Sequence, residues 1–157
     1  MMMTGVDDDV AVYRRHADEL MRYATALVGP SDAPDVVIDG VLAAFATPGW
    51  STVLNRRAYL YRAVLHRAIS ARRSNERRAR REAIAAVEER VPPQESSIDA
   101  HRALAHLSPQ QRAVVYLTYW DDLAPSQIAV LLDVSDGTVR KQLARARDQL
   151  RRILDGA

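Results

Sequence analysis

The sequence predicts an all-α chain, folded as two small helical domains joined by a linker, and three observations carry that expectation. Apolar residues recur at three- and four-residue steps along most of the chain, which gathers them on single helix faces. Of 157 residues, 25 are Ala and one is Phe, a composition suited to closely packed helices rather than to a thick aromatic core or a sheet. Clusters of Pro, Gly, Ser and Asp interrupt the periodic stretches and mark where one helix stops and the next starts.

Val10, Tyr13, Ala17, Leu20, Ala24 and Leu27 share a face and predict a first helix near 8–28. Gly29-Pro30-Ser31-Asp32 stops it and offers a new cap; Pro34 falls in the next first turn, where a missing N–H costs little. A second helix runs to about Ala46, and Thr47-Pro48-Gly49-Trp50-Ser51 ends it. A third begins near Asn55, carries Tyr59, Leu60, Ala63, Val64, Arg67, Ala68 and Ala71, and can extend into the Glu/Arg/Ala-rich stretch 74–90. Val91-Pro92-Pro93-Gln94-Glu95-Ser96-Ser97 has little to bury and cannot continue a helix. The chain therefore divides into a domain at 8–81, a linker at 82–98 and a second domain at 99–155. In the latter, Ser108-Pro109-Gln110-Gln111 has the capping-box arrangement and starts a helix at 109–120. A short helix over 125–132, a break at Asp133-Val134 and a final helix capped by Ser135 follow. Val139, Leu143, Ala146, Leu150 and Ile153 form the apolar stripe of that last helix.

Composition excludes several classes. Without cysteine there is no disulfide framework, thiolate metal site or thiol nucleophile. No window approaches the roughly 18 to 20 apolar residues of a membrane span, and the opening MMMTGVDDD is acidic, unlike the start of a signal peptide. A cytoplasmic protein with no membrane contact is expected. His16, His66, His101 and His106 show no metal-ligand spacing, and six Gly form no phosphate loop. Asp7-Asp8-Asp9 and Asp121-Asp122 read as a solvated terminus and a solvated turn. No catalytic residue, metal or cofactor is expected.

The formal charge of +2 conceals blocks. Residues 1–55 carry a net −5, 56–81 a net +9 with ten Arg against Glu76, 82–139 a net −6, and 140–152 a net +5. The second basic block lies on a helix-turn-helix layout, in which the apolar helix around Ile128, Ala129, Leu131 and Leu132 braces the next. Arg140, Lys141, Gln142 and Arg145 can then reach base edges or phosphates in a major groove. A solvated hairpin using Arg for solubility is the plain alternative. In the first basic block Trp50, Tyr59 and Tyr61 lie beside Arg56, Arg57 and Arg62, a mixture suited to stacking and neutralising a single strand. Tyr59 also shares the Ala63 and Val64 face, so a core role for it stands beside base stacking.

Three stretches resemble a known family. Leu107-Ser108-Pro109-Gln110-Gln111-Arg112-Ala113-Val114, Asp122 to Ala129 and Val134-Ser135-Asp136-Gly137-Thr138-Val139-Arg140 look like region 4 of bacterial sigma-70 family factors. Asp32 to Phe45 is similar to the region 2 pattern DAEDLVQETFLRAW, and Asn55-Arg56-Arg57-Ala58-Tyr59-Leu60-Tyr61-Arg62 resembles NPRAWLYR. The likeness covers nearly all of the chain outside 1–8 and 82–98. Their order, in a chain too short for a region 3, resembles the extracytoplasmic-function (ECF) group.

The resemblance implies an alternative sigma factor that binds core RNA polymerase and directs it to promoters. Region 2 would dock on the beta-prime clamp helices and open the minus-10 element; region 4 would bind the beta flap and read the minus-35 element. Carried onto this chain, docking falls to Asp35, Ile38 and Asp39. Minus-10 contact falls to Trp50, Asn55, Arg56, Arg57, Tyr59, Arg62, His66 and Arg67. Minus-35 contact falls to Ser126, Ser135, Thr138, Arg140, Lys141, Gln142 and Arg145. Ile38 stands where the family has Gln, Pro34 where it has Glu, His66 where it has Asn and Ser70 where it has Asp. Arg140-Lys141-Gln142 replaces KSR, and because Gln pairs with adenine where Arg favours guanine, an atypical minus-35 sequence is expected. An anti-sigma factor is a further partner that the resemblance implies, and the free domains can pack together and bury these surfaces. The runner-up reading is a stand-alone helix-turn-helix regulator that binds duplex DNA.

Overall fold

The structure, a computed structural model, describes residues 4–85 and 103–156. The longer helices are α1 (Thr4–Val28), α2 (Ala33–Ala46), α3 (Arg56–Ala85), α4 (Pro109–Tyr119), α5 (Pro125–Leu132) and α6 (Asp136–Asp155), with a 3₁₀ turn at Trp50–Thr52. Among the described residues there is no strand.

Most boundaries follow the punctuation. Gly29 leaves α1 at φ +87°, a conformation that suits a residue without Cβ. Asp32 then precedes α2 without making a side-chain cap, and Pro34 sits in the first turn. Ser108 Oγ accepts from the Gln111 N–H at 3.2 Å, and Gln111 Oε1 accepts from the Ser108 N–H at 3.0 Å. Ser135 Oγ accepts from the Thr138 N–H at 3.1 Å to start α6. The N-terminal helix departs from the expectation in two ways. α1 begins at Thr4 rather than near residue 8. Its acidic turn is not a solvated terminus: Asp9 accepts from the Trp50 indole at 2.8 Å, and Asp8 pairs with Arg56 at 2.5 Å. α3 continues past residue 81 to Ala85, and the rest of the 82–98 linker lies outside the described residues.

The first three helices pack around Leu20, Tyr23, Leu27, Val37, Leu60, Tyr61 and Val64, all essentially inaccessible. Gly40 allows α2 to approach α3 closely, since a Cβ there would lie 3.3 Å from the Ala63 carbonyl and from the Val64 Cα. A mid-helix Gly costs about 1 kcal/mol relative to Ala, which the close packing offsets. α4 to α6 close around Leu117, Ile128, Leu132, Val139, Leu143 and Ala146. Asp133 ends α5 in the left-handed region at φ 56°, which turns the chain sharply into Ser135 and α6.

The two groups of helices are folded onto each other, and one hydrophobic core runs through both. Tyr23 joins them, with its ring 4.7 Å from Tyr61 and 6.1 Å from Tyr116 of α4. Arginines complete the seam. Arg62 of α3 donates to the Val130 and Leu131 carbonyls at 2.9 and 3.3 Å, in the last turn of α5. Arg112 of α4 donates to the Leu27 carbonyl in the last turn of α1 at 2.6 Å, and to Ala105 and Leu107 carbonyls at 2.8 and 3.1 Å. Arg72 donates to the same Leu107 carbonyl. Burial, and secondarily the neighbouring Arg72, lower the Arg112 pKa from its usual value.

Burial raises the Tyr23 and Tyr61 phenols above their ordinary value, with a smaller push from Tyr61 on Tyr23 and from Glu19 on Tyr61, and burial also raises Tyr116. The folded chain therefore holds phenolic protons that the unfolded chain releases above about pH 10. Stability should be insensitive to these groups below that pH and fall as pH rises beyond it. The Tyr23 hydroxyl has no partner among the described residues. Tyr23→Phe should consequently leave stability at neutral pH unchanged or raise it by about 1 kcal/mol, and should make the alkaline loss shallower. Urea denaturation from pH 8 to 11 measures both; a loss of more than about 2 kcal/mol at pH 8 contradicts this assignment.

Candidate nucleic-acid and polymerase interfaces

α6 is held to its own half by Val139, Leu143 and Ala146, which are buried. Its remaining faces point outward. Arg140, Lys141 and Arg145 are exposed and make no ion pair with a described residue, while Gln142 is half-buried between them. Ser126 is exposed at the start of α5. Ser135 and Thr138 are exposed as well, but their side chains are engaged with each other at 2.8 Å in the helix cap. These residues thus line the entry turns of α6 and the first turn of the bracing helix, with the cations free to meet an anion.

The α3 arginines are arranged differently. Arg56 pairs with Asp8 and lies 5.3 Å over the Trp50 ring. Arg57 pairs with Glu19 at 2.7 Å and lies 5.0 Å over Tyr61. Burial opposes its charge, but the hydrogen bond and field of Glu19 outweigh that and raise its pKa. Arg62 is bound to the end of α5, and Arg67 pairs with Asp39 at 3.1 Å. Asn55 is the cap of α3, its Oδ1 accepting from the Ala58 N–H at 3.0 Å. Trp50 is only 4% exposed, packed against Phe45 and Tyr59 and bonded through its indole to Asp9. Its ring, like that of buried Tyr61, is a core element in this conformation and offers no open stacking face. Tyr59 is half-buried, with one edge on Trp50.

Four of the expected minus-10 residues do come together. Tyr59, Arg62, His66 and Arg67 line one wall of a groove of about 350 Å³, and Ala43, Ala44 and Thr47 at the end of α2 line the other. An apolar floor beside two guanidinium groups and an imidazole can hold the flat face of a base and the adjoining phosphate.

On the outer face of α2, Asp35, Ile38 and Asp39 are exposed. Leu42 joins them and was not singled out by the sequence. Ile38 is 48% and Leu42 59% exposed, one helical turn apart and flanked by the two carboxylates. The available signal was spacing, since Leu42 lies four residues beyond Ile38 in a helix that is apolar apart from Asp35 and Asp39. Arg72 and Arg112, which tie the halves together, had no such signal, since their partners are backbone carbonyls distant in sequence.

Comparison with known proteins identifies the family. A family model described as Sigma-70 region 2 matches residues 12–78, and one described as Sigma-70, region 4 matches residues 97–150. The chain is 33% identical to the ECF RNA polymerase sigma factor SigL of Mycobacterium tuberculosis, over 92% of this chain and 87% of that protein. It is 32% identical to the RNA polymerase sigma-E factor of Streptomyces coelicolor, over 90% and 82%. Among solved structures, the sigma factor RpoE in complex with the anti-sigma factor NepR, from Bartonella quintana, shares the fold with a TM-score of 0.66 and 22% identity, over 94% of this chain and 97% of that one. CnrH in complex with the cytosolic domain of CnrY matches with a TM-score of 0.61 and 25% identity, over 94% and 88%. Two family models that together span most of the helical chain, and relatives aligned along nine-tenths of it, place this protein in the sigma-70 family, among its extracytoplasmic-function sigma factors.

Proposed function

We propose that this protein binds core RNA polymerase, selects promoters and supports initiation, with residues 8–81 serving docking and the minus-10 element, 99–155 serving the minus-35 element, and 82–98 connecting them. The observation that carries the reading is α6: three exposed cations without described ion partners surround Gln142 on a helix braced by α5. Arg140, Lys141, Gln142 and Arg145 face the minus-35 duplex, and Ser126, Ser135 and Thr138 position the backbone of that contact. Asp35, Ile38, Asp39 and Leu42 form an acidic and apolar face for a basic helical partner on the polymerase.

The groove of Tyr59, Arg62, His66 and Arg67 takes the minus-10 strand, with Arg56 and Arg57 at its approach. Arg62 can serve there only after leaving the carbonyls of α5, so promoter engagement requires the two halves to separate. Trp50 and Asn55 support the groove from within, by core packing and by capping α3. An anti-sigma factor is proposed as a further partner, since RpoE, which shares this fold, was solved with one. Bond formation belongs to the polymerase, and this chain contributes recognition. No described helix is long and apolar enough to cross a membrane, and the polymerase places the action in the cytoplasm.

Capture of core polymerase followed by run-off transcription on a promoter library tests the function; protein that neither binds core nor supports any transcript overturns it. Gln142→Ala or Arg140→Ala should change preference at one minus-35 position by about 1–3 kcal/mol and leave core affinity intact. Equal loss on every sequence would assign that residue to phosphate positioning. Asp39→Arg should lower core affinity while changing stability by no more than about 1 kcal/mol, because its ion pair with Arg67 is exposed on both sides. Unfolding of that variant would make Asp39 a structural residue instead.

A further inference from the structure

The +9 block divides in two in the structure. Arg56, Arg57, Arg62, Arg67 and Arg72 each hold a carboxylate or a helix-end carbonyl. Beyond Arg72 the pattern changes. Every residue from Arg73 to Glu82 is exposed, and Arg73, Arg77, Arg78, Arg80 and Arg81 make no ion pair with any described residue. Between Arg73 and Glu82 the one apolar residue is Ala79, so this stretch has no apolar face to bury; Asn75, Glu76 and Ala79 border a shallow groove at the end of α1, and the arginines extend beyond it as a rod. Its root is fixed, since Arg72 is bonded to Glu76 and to the Leu107 carbonyl of the other half.

The clustering is unfavourable in the free protein. Arg73–Arg77 and Arg77–Arg81 lie four residues apart, and Arg77–Arg80 and Arg78–Arg81 three, so like charges are neighbours on the helix surface at about 0.2–0.5 kcal/mol each, a cost that Glu76 and Glu82, spaced three or four residues from Arg73, Arg80 and Arg78, offset only in part. A polyanion relieves that repulsion. Which polyanion is decided by what the rod lacks: from Arg62 to Arg102 the sequence has no Phe, Tyr or Trp, so it has no platform on which unstacked bases can rest. Guanidinium groups without aromatics bind phosphates. The interval from Arg73 to Arg81 rises about 12 Å, the axial length over which duplex DNA presents about seven phosphates. Along the chain, the rod follows the minus-10 residues and precedes the connection to α4–α6.

We propose that the exposed arginines of distal α3, Arg73, Arg77, Arg78, Arg80 and Arg81, form a sequence-independent phosphate clamp on the duplex between the minus-10 and minus-35 elements. This inference rests on the promoter-recognition reading above. The rod adds affinity for that interval of DNA irrespective of its bases, through exposed guanidinium groups that make no ion pair with a described residue.

The test uses holoenzyme assembled from core polymerase and full-length chain, with promoter affinity measured against salt. Replacing Arg73, Arg77, Arg80 and Arg81 together by Gln should reduce the slope of log affinity against log salt by about 0.9 for each phosphate no longer neutralised, up to about 3–4. The reduction should be the same on promoters differing in either element, core affinity should be unchanged, and the four-Lys replacement should restore the slope. Duplexes with uncharged methylphosphonate linkages between the elements should weaken wild type strongly and the Gln variant, which keeps Arg78, only slightly. An unchanged slope in a holoenzyme that still initiates overturns the inference alone. A slope change that persists when the interval is uncharged, or a loss of core binding without a slope change, also overturns it by assigning the rod to a nascent RNA or to an acidic protein surface. A wild-type chain that neither binds core nor initiates overturns the underlying reading and this one with it.

Discussion

The closed arrangement depends on helix ends that cannot satisfy themselves. The last carbonyls of a helix have no intrahelical donor, and the dipole concentrates negative charge on them. Here α1 and α5 end against the opposite half, and each receives a guanidinium from it: Arg112 at Leu27, and Arg62 at Val130 and Leu131. A planar guanidinium presents several donors in a fixed fork, so Arg112 alone meets three carbonyls and Arg62 two. The tyrosine cluster beneath supplies apolar area, but it imposes no register. The arginine contacts do, because each works only where a particular last turn arrives within hydrogen-bond distance.

This makes the arginine content of the chain more than a solubility device. The same residue type performs three tasks that differ in what faces it. Opposite a carboxylate, as in Arg57 with Glu19, it fixes helices of one half. Opposite a helix end it joins the halves. Opposite water, on α6 and distal α3, it is left for an external anion. Net charge averages over all three and so says little, and even the block charges do not separate the first two tasks from the third.

Much of the architecture was legible because it is local. Pro34, the Ser108–Gln111 capping box, the Ser135 cap and the 3.6-residue periodicity each act within a few residues, and the helices start and stop close to where they indicate. What was hidden is long-range. Nothing in the sequence around Asp8 and Asp9 announces Arg56 and Trp50, which turn an apparently solvated end into a clasp. The same applies to the minus-10 surface. Proximity of Trp50 and Tyr61 to arginines suggested stacking platforms, whereas their rings fill the core, and only Tyr59, Arg62, His66 and Arg67 share an open groove. A stripe of aromatics and cations has one appearance in sequence and two outcomes in space, decided by whether each ring faces the core or the surface. The α6 surface was easier to read because its apolar stripe alone fixes which residues point outward.

Gly40 lies between the two faces of the N-terminal half to which functions are proposed. The backbone of α2 lies against Ala63 and Val64 of α3 because no side chain intervenes, and that contact sits between the outward-facing Asp39 and the groove wall formed by Ala43 and Ala44. The distance between the proposed docking face and the proposed minus-10 groove is therefore gauged by the absence of one methyl group. A larger residue at position 40 would act as a shim, widening the groove and lengthening the reach from Asp39 to Arg67 in one movement. The two proposed surfaces are in this way set against each other by a close backbone contact as well as by the Asp39–Arg67 ion pair.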